Sequence, residues 1–480
     1  MLTASGTIVF LPVNGESRTI VVPDDYPTIA AAVGNATDGY TILVRKGTYD
    51  GPWNQTLMIN KTISLIGEDA ENTKIIFHPA WFSEWYFATP LSGYYPSMVI
   101  DAEDVVIAGF TILTDGWAIK VNGNRAQVIG NIITTHFEMR GSHQTVAYNT
   151  ITSLYYPNGT VKSYAHIDLH GSYCTATANT LVDGNICTYG SYNSIFRNNG
   201  GSLGAGGDGT HNLIYGNSLK DSGGIGIAAT EIIVANNTIT NSTSGGVYIG
   251  WGGDNIVFGN TITNCPAPGL SETDNSWSTL FYANYVANNR WGAKIVSQQS
   301  NTTLYHNNFV NNVNQVHCGT SETVTPLSGP SFTRRLTHWG YFDNGTEGNY
   351  WSDYNGTDAN FDGVGDTPYV IDEDRSDHYP LMAPVDVSNV TLRLPDWANL
   401  TIPSPLKTPS FPPKLKPLPT PHSSPPQTPS TEPEQKPSPL QTPLQPEPTP
   451  FPTPLVAAAS TASIVMVGGV LLLYFKKRKH

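Results

Sequence analysis

The sequence predicts an all-β chain wound as a right-handed parallel β-helix, and three observations carry that prediction. Phrases alternating apolar and polar residues return at intervals of about twenty residues, as in N-L-I-Y-G-N-S-L from Asn212, I-I-V-A-N-N-T-I from Ile232 and N-I-V-F-G-N-T-I from Asn255. Period-two alternation marks a strand with one buried face, and a fixed return marks the coil of a solenoid. Shorter phrases lie between them, G-G-I-G-I-A from Gly223 and G-G-V-Y-I-G from Gly245. Finally, an Asn recurs before the T-I or S-L step, at Asn131, Asn149, Asn179, Asn198 or Asn199, Asn217, Asn237, Asn260, Asn284 and Asn308. Stacked at one corner, those amides can satisfy one another from rung to rung. Apolar spacing near 3.6 residues and long runs of Ala, Leu, Glu and Lys, the marks of a helical solenoid, are absent.

The chain has 480 residues, too many for one compact core but suited to a solenoid that grows by adding coils. About twelve coils of this period are expected. A net charge of −13 argues against nucleic acid as a partner, because no basic stripe exists to neutralise phosphates. It would also repel a carboxylated polysaccharide unless local Arg and Lys intervened. Cys174, Cys187, Cys265 and Cys318 contain no C-x-x-C pair, so a zinc knuckle is not expected, and either disulfides or half-buried thiols fit.

Taken in order, residues 1–18 form a poorly defined start whose apolar run, Ile8 to Leu11, reads as the remnant of a signal peptide. The β-helix then occupies 19–385. V-V-P-D-D-Y-P-T-I-A-A-A-V, from Val21, suggests a strand, a turn and a short cap helix beginning near Tyr26 that closes the open end of the stack. Strands follow at Thr41 to Gly47 and at Ile59 to Glu68. Residues 386–402 are read as a terminal strand region. Twenty of the 52 residues from Pro403 to Pro454 are proline, which makes the segment a semi-rigid polyproline stalk. Fully extended at about 3.1 Å per residue, it would reach roughly 160 Å. The 21 apolar or small residues from Leu455 to Phe475 suffice for a transmembrane helix, and the basic tail 476–480 places its far side in the cytoplasm. The expected location is therefore the cell membrane, single-pass, with the large N-terminal part outside. Eleven N-x-S/T acceptors, among them Asn35 and Asn389, agree with that placement.

Several stretches carry a family likeness: P-D-D-Y-P-T-I-A-A-A-V, I-L-V-R-K-G-T-Y from Ile42, I-N-K-T-I-S-L-I-G-E from Ile59, G-N-Y-W-S-D-Y from Gly348, D-G-V-G-D-T-P-Y from Asp362 and H-Y-P-L from His378. With the recurring N-x-I steps, they resemble the right-handed β-helix proteins of the NosD type, also called carbohydrate-binding and sugar-hydrolase repeat proteins. The likeness covers roughly residues 19 to 385, with 346–385 as the C-terminal segment. It implies the fold, and with it a copper-related role. The stalk and membrane span depart from a soluble periplasmic protein.

Chemistry is expected where three coils align. If Ile119 and Val121, Phe137 and Met139, and Ile167 and Leu169 point inward, then Lys120, His136, Glu138, Arg140, His166, Asp168 and His170 point outward. The alignment pairs His136 with His166, Glu138 with Asp168, and Arg140 with His170. His166, Asp168 and His170, joined by His136 or Glu138, could ligate Zn²⁺, Cu²⁺ or Mn²⁺. Glu138 and Asp168 could serve as paired carboxylates in glycoside hydrolysis, with His166 beside them. A His or Arg could instead remove a sugar proton in a lyase or epimerase. The same charges would also serve simply to solvate a polar outer sheet.

Aromatic rings can stack on a pyranose, and the outward candidates are Trp117, Tyr248, Trp251, Trp277 and Trp291, with Tyr155, Tyr156, Trp81, Trp85, Tyr94 and Tyr95 in loops. Asp208 and His211 form a second, smaller group. Asp358, Asn360, Asp362, Gly363 and Asp366 follow the first nine places of a calcium loop, but Tyr369 stands where the bidentate Glu belongs. The expectation is a membrane-anchored extracellular protein that binds polysaccharide or a surface glycan along its outer sheet. A carbohydrate-active enzyme and a copper-handling protein are the other readings.

Overall fold

Each alternating phrase turns out to be two short strands bent around its Asn. Leu213–Tyr215 and Ser218–Lys220 flank the corner Gly216–Asn217, and Ile256–Phe258 and Thr261–Thr263 flank Gly259–Asn260. The chain turns there because the residue before each Asn adopts a left-handed backbone, with φ of 62° at Gly216, 53° at Asn236 and 64° at Gly259. The two strands of a phrase join different sheets, so the alternation reports two faces of the coil rather than one strand. This computed structural model describes residues 18–398, apart from 53–54, 79–95, 115–118, 158, 160, 297–300, 320, 325–331, 336–338 and 388–391.

The coils stack in parallel into one sheet of 14 strands and another of 23. In the first, the inward column runs Ile42, Leu65, Ile107, Val128, Val146, Ala176, Ile195, Ile214, Val234, Val257, Phe281 and Leu304. Each of these side chains is almost wholly buried, so like sits on like through one continuous apolar core. Among the described residues fourteen rungs stand where about twelve were expected.

The corner ladder is formed almost as the sequence suggested. Asn131, Asn149, Asn179, Asn198, Asn217, Asn237, Asn260 and Asn284 each donate a side-chain N–H to the carboxamide oxygen of the next Asn. At the ambiguous pair the ladder residue is Asn198. In the last coil it is Asn307, not Asn308. From Asn307 the ladder passes to Asn349 and ends on the buried carboxyl of Asp377. Asn308 instead exchanges two hydrogen bonds with the backbone of Val385.

The N-terminal cap helix spans Ile29–Asn35, three residues later than expected from Tyr26, because Thr28 caps it by accepting from the Ala31 N–H. The strand expected from Thr41 is two strands, Thr41–Val44 and Gly47–Asp50, and the one expected from Ile59 is Leu57–Ile59 followed by Ser64–Gly67. Both breaks are coil corners. Beyond the last coil, Val387, Leu392, Leu394, Trp397 and Ala398 pack on an apolar strip of Phe196, Leu213, Tyr215, Ile233, Phe258 and Tyr282 on the outer face of the first sheet. The described residues of that segment, 386–387 and 392–398, show no strand pairing. Among the described residues no helix is long and apolar enough to cross a membrane; the stalk and the 455–475 segment lie outside them.

Candidate functional site

The strands Ile119–Val121, His136–Met139 and His166–Leu169 adopt the register expected from sequence. Lys120 faces Glu138, His136 faces His166, and Glu138 faces Asp168. Phe137, Met139, Ile167 and Leu169 are fully buried, which turns the polar residues between them outward. The next strand, Thr180–Thr188, continues the columns with Asn185 opposite His166 and Cys187 opposite Asp168.

Two ionic groups result. His136 Nε2 lies 2.9 Å from Asp168 Oδ2, and His166 Nε2 lies 3.7 Å from the same oxygen. The two imidazoles stack with centroids 3.7 Å apart and planes 22° from parallel. Burial, with help from the neighbouring His136, pushes His166 down to about 4, so it is a neutral base near pH 7. Glu138 meanwhile binds Arg140 at 2.6 Å, with Lys120 at 4.0 Å. The two carboxylates are therefore neighbours in register but have different partners, imidazoles for Asp168 and Arg140 with Lys120 for Glu138. Arg140 neighbours His170 across the coils, but its guanidinium folds back to Glu138, while His170 stacks on Tyr189 of the next coil at 4.9 Å. Burial holds His170 below its ordinary value.

Beyond Cys187 the outward column loses its side chains. It runs Asp168, Cys187, Gly204, Gly226 and then Tyr248. A Cβ on Gly226 would meet nothing within 4 Å, and one on Gly206, a neighbouring outward position, would lie 3.5 Å from the Tyr189 ring. The result is a glycine-floored trough with His136, His166, Asp168, His170 and Tyr189 at one end and Tyr248 and Trp251 at the other. Tyr248 and Trp251 are 42% and 38% exposed, enough to offer ring surface to a ligand. The Cys187 thiol is pushed up to about 12, first by burial and then by the Asp168 charge, so it contributes no thiolate.

Sequence reasoning missed the floor because it stopped at the third coil. The glycines of G-S-L-G-A-G and G-G-I-G-I-A were the available signal: small residues at outward positions of successive strands. Of the other candidates, His211 stacks on Tyr192 and approaches Glu231 at 3.4 Å, in a corner stack with His143 and Tyr173 rather than in the trough. Asp208 is exposed in the turn before it. Trp277 packs edge-on against Trp251 at 6.2 Å. Tyr155 and Tyr156 are exposed at a hairpin pairing Leu154–Tyr155 with Val161–Ser163. Trp81, Trp85, Tyr94, Tyr95 and Trp117 lie outside the described residues.

Among the described residues, one trio of His, Cys, Asp or Glu has ligand atoms within 4.8 Å of one another: His136, His166 and Asp168. Ligands about 2.1 Å from a tetrahedral metal stand about 3.4 Å apart, and the 2.9 and 3.7 Å contacts bracket that spacing. Two imidazoles and a carboxylate suit copper or zinc, once one ring turns out of the stack to bring both nitrogens onto a common point. The residues thus fit such an ion. Asp358, Asn360, Asp362 and Asp366 share one loop, where Asp358 accepts from the Gly363 N–H, Asp362 from Val364 and Asp366 from Ala359. Their carboxylates serve their own backbone and do not gather into a second such trio.

Parallel rungs, a stacked-Asn corner and an outer face bearing the charged cluster define a right-handed parallel β-helix. Within that class, residues 129–356 match the family model described as periplasmic copper-binding protein (NosD). No curated protein matches the chain. Among solved structures it is similar to the A-module of mannuronan C-5 epimerase AlgE6 from Azotobacter vinelandii, at 14% identity and TM-score 0.43, covering 60% of this chain and 89% of that one. The AlgE4 A-module of the same organism gives 12% identity and TM-score 0.40, over 60% and 90% of the two chains. A PL6 alginate lyase in complex with trisaccharide gives 10% and 0.33, over 64% and 87%. At these identities and scores the similarity is confined to the fold.

Proposed function

We propose that this chain is a cell-surface β-helix protein that binds polysaccharide or a surface glycan along the outer face of its coils. The observation that carries the reading is the trough itself: the side-chain-free positions Gly204 and Gly226, with open space at Gly226, between a His/Asp cluster and two exposed aromatic rings. Rings offer stacking surface to the apolar faces of sugars, and the charged end offers fixed hydrogen-bond partners to hydroxyls. The proline-rich segment and the 455–475 span would hold this head outside the cell membrane. His166, neutral near pH 7, stands beside the Asp168-bound His136, and imidazoles so placed are candidates for proton transfer, so cleavage is assayed together with binding.

The test is retention of the full-length protein on a panel of immobilised polysaccharides, with reducing ends and unsaturated-uronate absorbance read in parallel. Retention of at least one polymer, weakened by Trp251→Ala and by His166→Ala, is the expected result. Retention of none, or retention indifferent to both substitutions, rejects the reading.

A second reading rests on the His136, His166 and Asp168 trio: a first-row transition metal held by these three side chains. Bound there, the ion would act as a Lewis acid or as cargo. Isothermal titration with Cu²⁺ and Zn²⁺ should show one site per chain that disappears in His136→Ala. Equal heats from the variant would dismiss it.

A further inference from the structure

The outward column does not end at Tyr248; it continues through Ser271 to Lys294 and His317. Lys294 lies six rungs beyond Asp168, roughly 29 Å away at about 4.8 Å per rung. Its surroundings differ from those of the first cations on the face. Lys120 and Arg140 are both committed to Glu138. Lys294 and Arg290 have no ion-pair partner among the described residues. Instead the Arg290 guanidinium lies 4.4 Å from the centre of the Trp291 ring, and Lys294 Nζ lies 5.8 Å from it. Trp291 thus holds two cations by cation–π attraction, and the ring face under Arg290 is not free to stack on a sugar.

Nearby carboxylates do not cancel these charges. Glu272 points inward, where Thr279 and Thr302 donate to it, and burial raises its pKa. Asp372 is bound to Arg375 at 2.9 Å. His317 faces Lys294 across the rungs and is held below its ordinary value by burial first and then by the Lys294 and Arg375 charges, against a smaller opposing effect of Asp372. In a chain of net charge −13, this is an uncompensated cationic spot in line with the trough.

We propose that Arg290 and Lys294, held over Trp291, form a carboxylate-binding subsite, and that the polymer running along this face is therefore an anionic, uronate-bearing polysaccharide. The inference rests on the glycan-binding reading above and adds the ligand's charge. Planar guanidinium and planar carboxylate match in two parallel N–H···O bonds, and a ring-held guanidinium has fewer rotamers to lose on binding. The subsite supplies the local Arg and Lys that an acidic chain requires of an acidic protein.

The test compares retention of full-length wild-type protein and the double variant Arg290→Ala/Lys294→Ala on polygalacturonate, its methyl ester and a sulfated galactan. Wild-type protein should bind polygalacturonate about tenfold more tightly than the ester at low salt, an advantage that shrinks as salt rises. The double variant should lose that advantage, keep its affinity for the ester and melt at the wild-type temperature. Three outcomes overturn the inference: equal affinity for acid and ester, an acid preference that survives the double substitution, or tighter binding to the sulfated galactan. If the ester is bound by both proteins and His166→Ala weakens it, the glycan reading stands while the uronate inference falls. If none of the three polymers is retained, the uronate inference falls, and the glycan reading falls with it only if the wider panel is not retained either.

Discussion

Removing one rung of the Asn ladder should cost several kcal/mol, and Asn217→Ala is the case most easily worked through. Asn217 is buried, and its carboxamide oxygen accepts from the Asn198 backbone N–H at 2.9 Å and from the Asn198 side chain at 3.0 Å. Its own NH₂ donates to Ile195 O at 3.0 Å, Tyr215 O at 3.2 Å and the Asn237 oxygen at 2.9 Å. Alanine deletes all of these. The Asn198 side chain keeps Ala176 O and Phe196 O, but the Asn198 backbone N–H is left buried without its acceptor. An orphaned buried donor costs about 1–3 kcal/mol, and the remaining bonds contribute roughly 1 kcal/mol each. The two side-chain N–H groups are shared among three acceptors and the Asn198 side chain keeps its other partners, so these bonds count as about two, and a loss of about 3–5 kcal/mol is expected. Asn199 is the control, exposed on the adjacent position, and Asn199→Ala should stay within about 0.5 kcal/mol. Urea unfolding followed by circular dichroism measures both. If Asn217→Ala loses less than about 1 kcal/mol, or no more than Asn199→Ala, the ladder is not what satisfies this corner.

Two further outcomes follow from the same geometry. Gly171→Ala would put a Cβ 1.8 Å from the Gly141 carbonyl oxygen, in a column where Gly123, Gly141, Gly171 and Gly190 lie rung upon rung. Since the backbone itself must move, a loss of about 3 kcal/mol or more is expected in the same unfolding assay, and a neutral result would contradict the stacking. Burial raises Asp377 from 3.8 to about 6, so the folded state holds this proton more tightly than the unfolded chain does. Its contribution is full below pH 3.8 and is lost as pH rises through 6, a change of about 3 kcal/mol at 1.36 kcal/mol per unit. Asp377→Asn should flatten that part of the stability–pH curve. Because His166, held down to about 4, makes stability rise over the same window, the Asp377 effect is read as the difference between the two curves, and a variant curve parallel to wild type between pH 4 and 7 would show that the three N–H donors outweigh burial.

The coil period, the inward residues and the register of the first site were legible because a parallel stack places like residues on like. His136 over His166 and Glu138 over Asp168 follow once Phe137 and Ile167 are assigned to the core. Corners were less legible. The phrase from Asn212 reads as one alternating strand, and only the positive φ at Gly216 reveals that it serves two sheets. The ladder register at Asn307 against Asn308 hinges on a one-residue choice between two adjacent identical side chains. Side-chain partners were not legible at all. Sequence spacing makes Arg140 and His170 neighbours but does not show that the long guanidinium reaches its own strand's Glu138 and leaves His170 to Tyr189. The trough escaped notice for a related reason: it is made by missing side chains, at Gly204 and Gly226, whereas candidate sites were sought among reactive ones.

Filling the floor tests the account most directly. Gly226 has a backbone that any residue can adopt and open space where its Cβ would lie, so Gly226→Leu should fold and melt as wild type. On the polysaccharide that wild-type protein retains most strongly, the account predicts at least about a tenfold loss of affinity, the scale of one well-placed contact of about 1.4 kcal/mol. Undiminished binding by a folded Gly226→Leu protein would place the ligand elsewhere on the molecule and contradict the claim that the outer trough receives it.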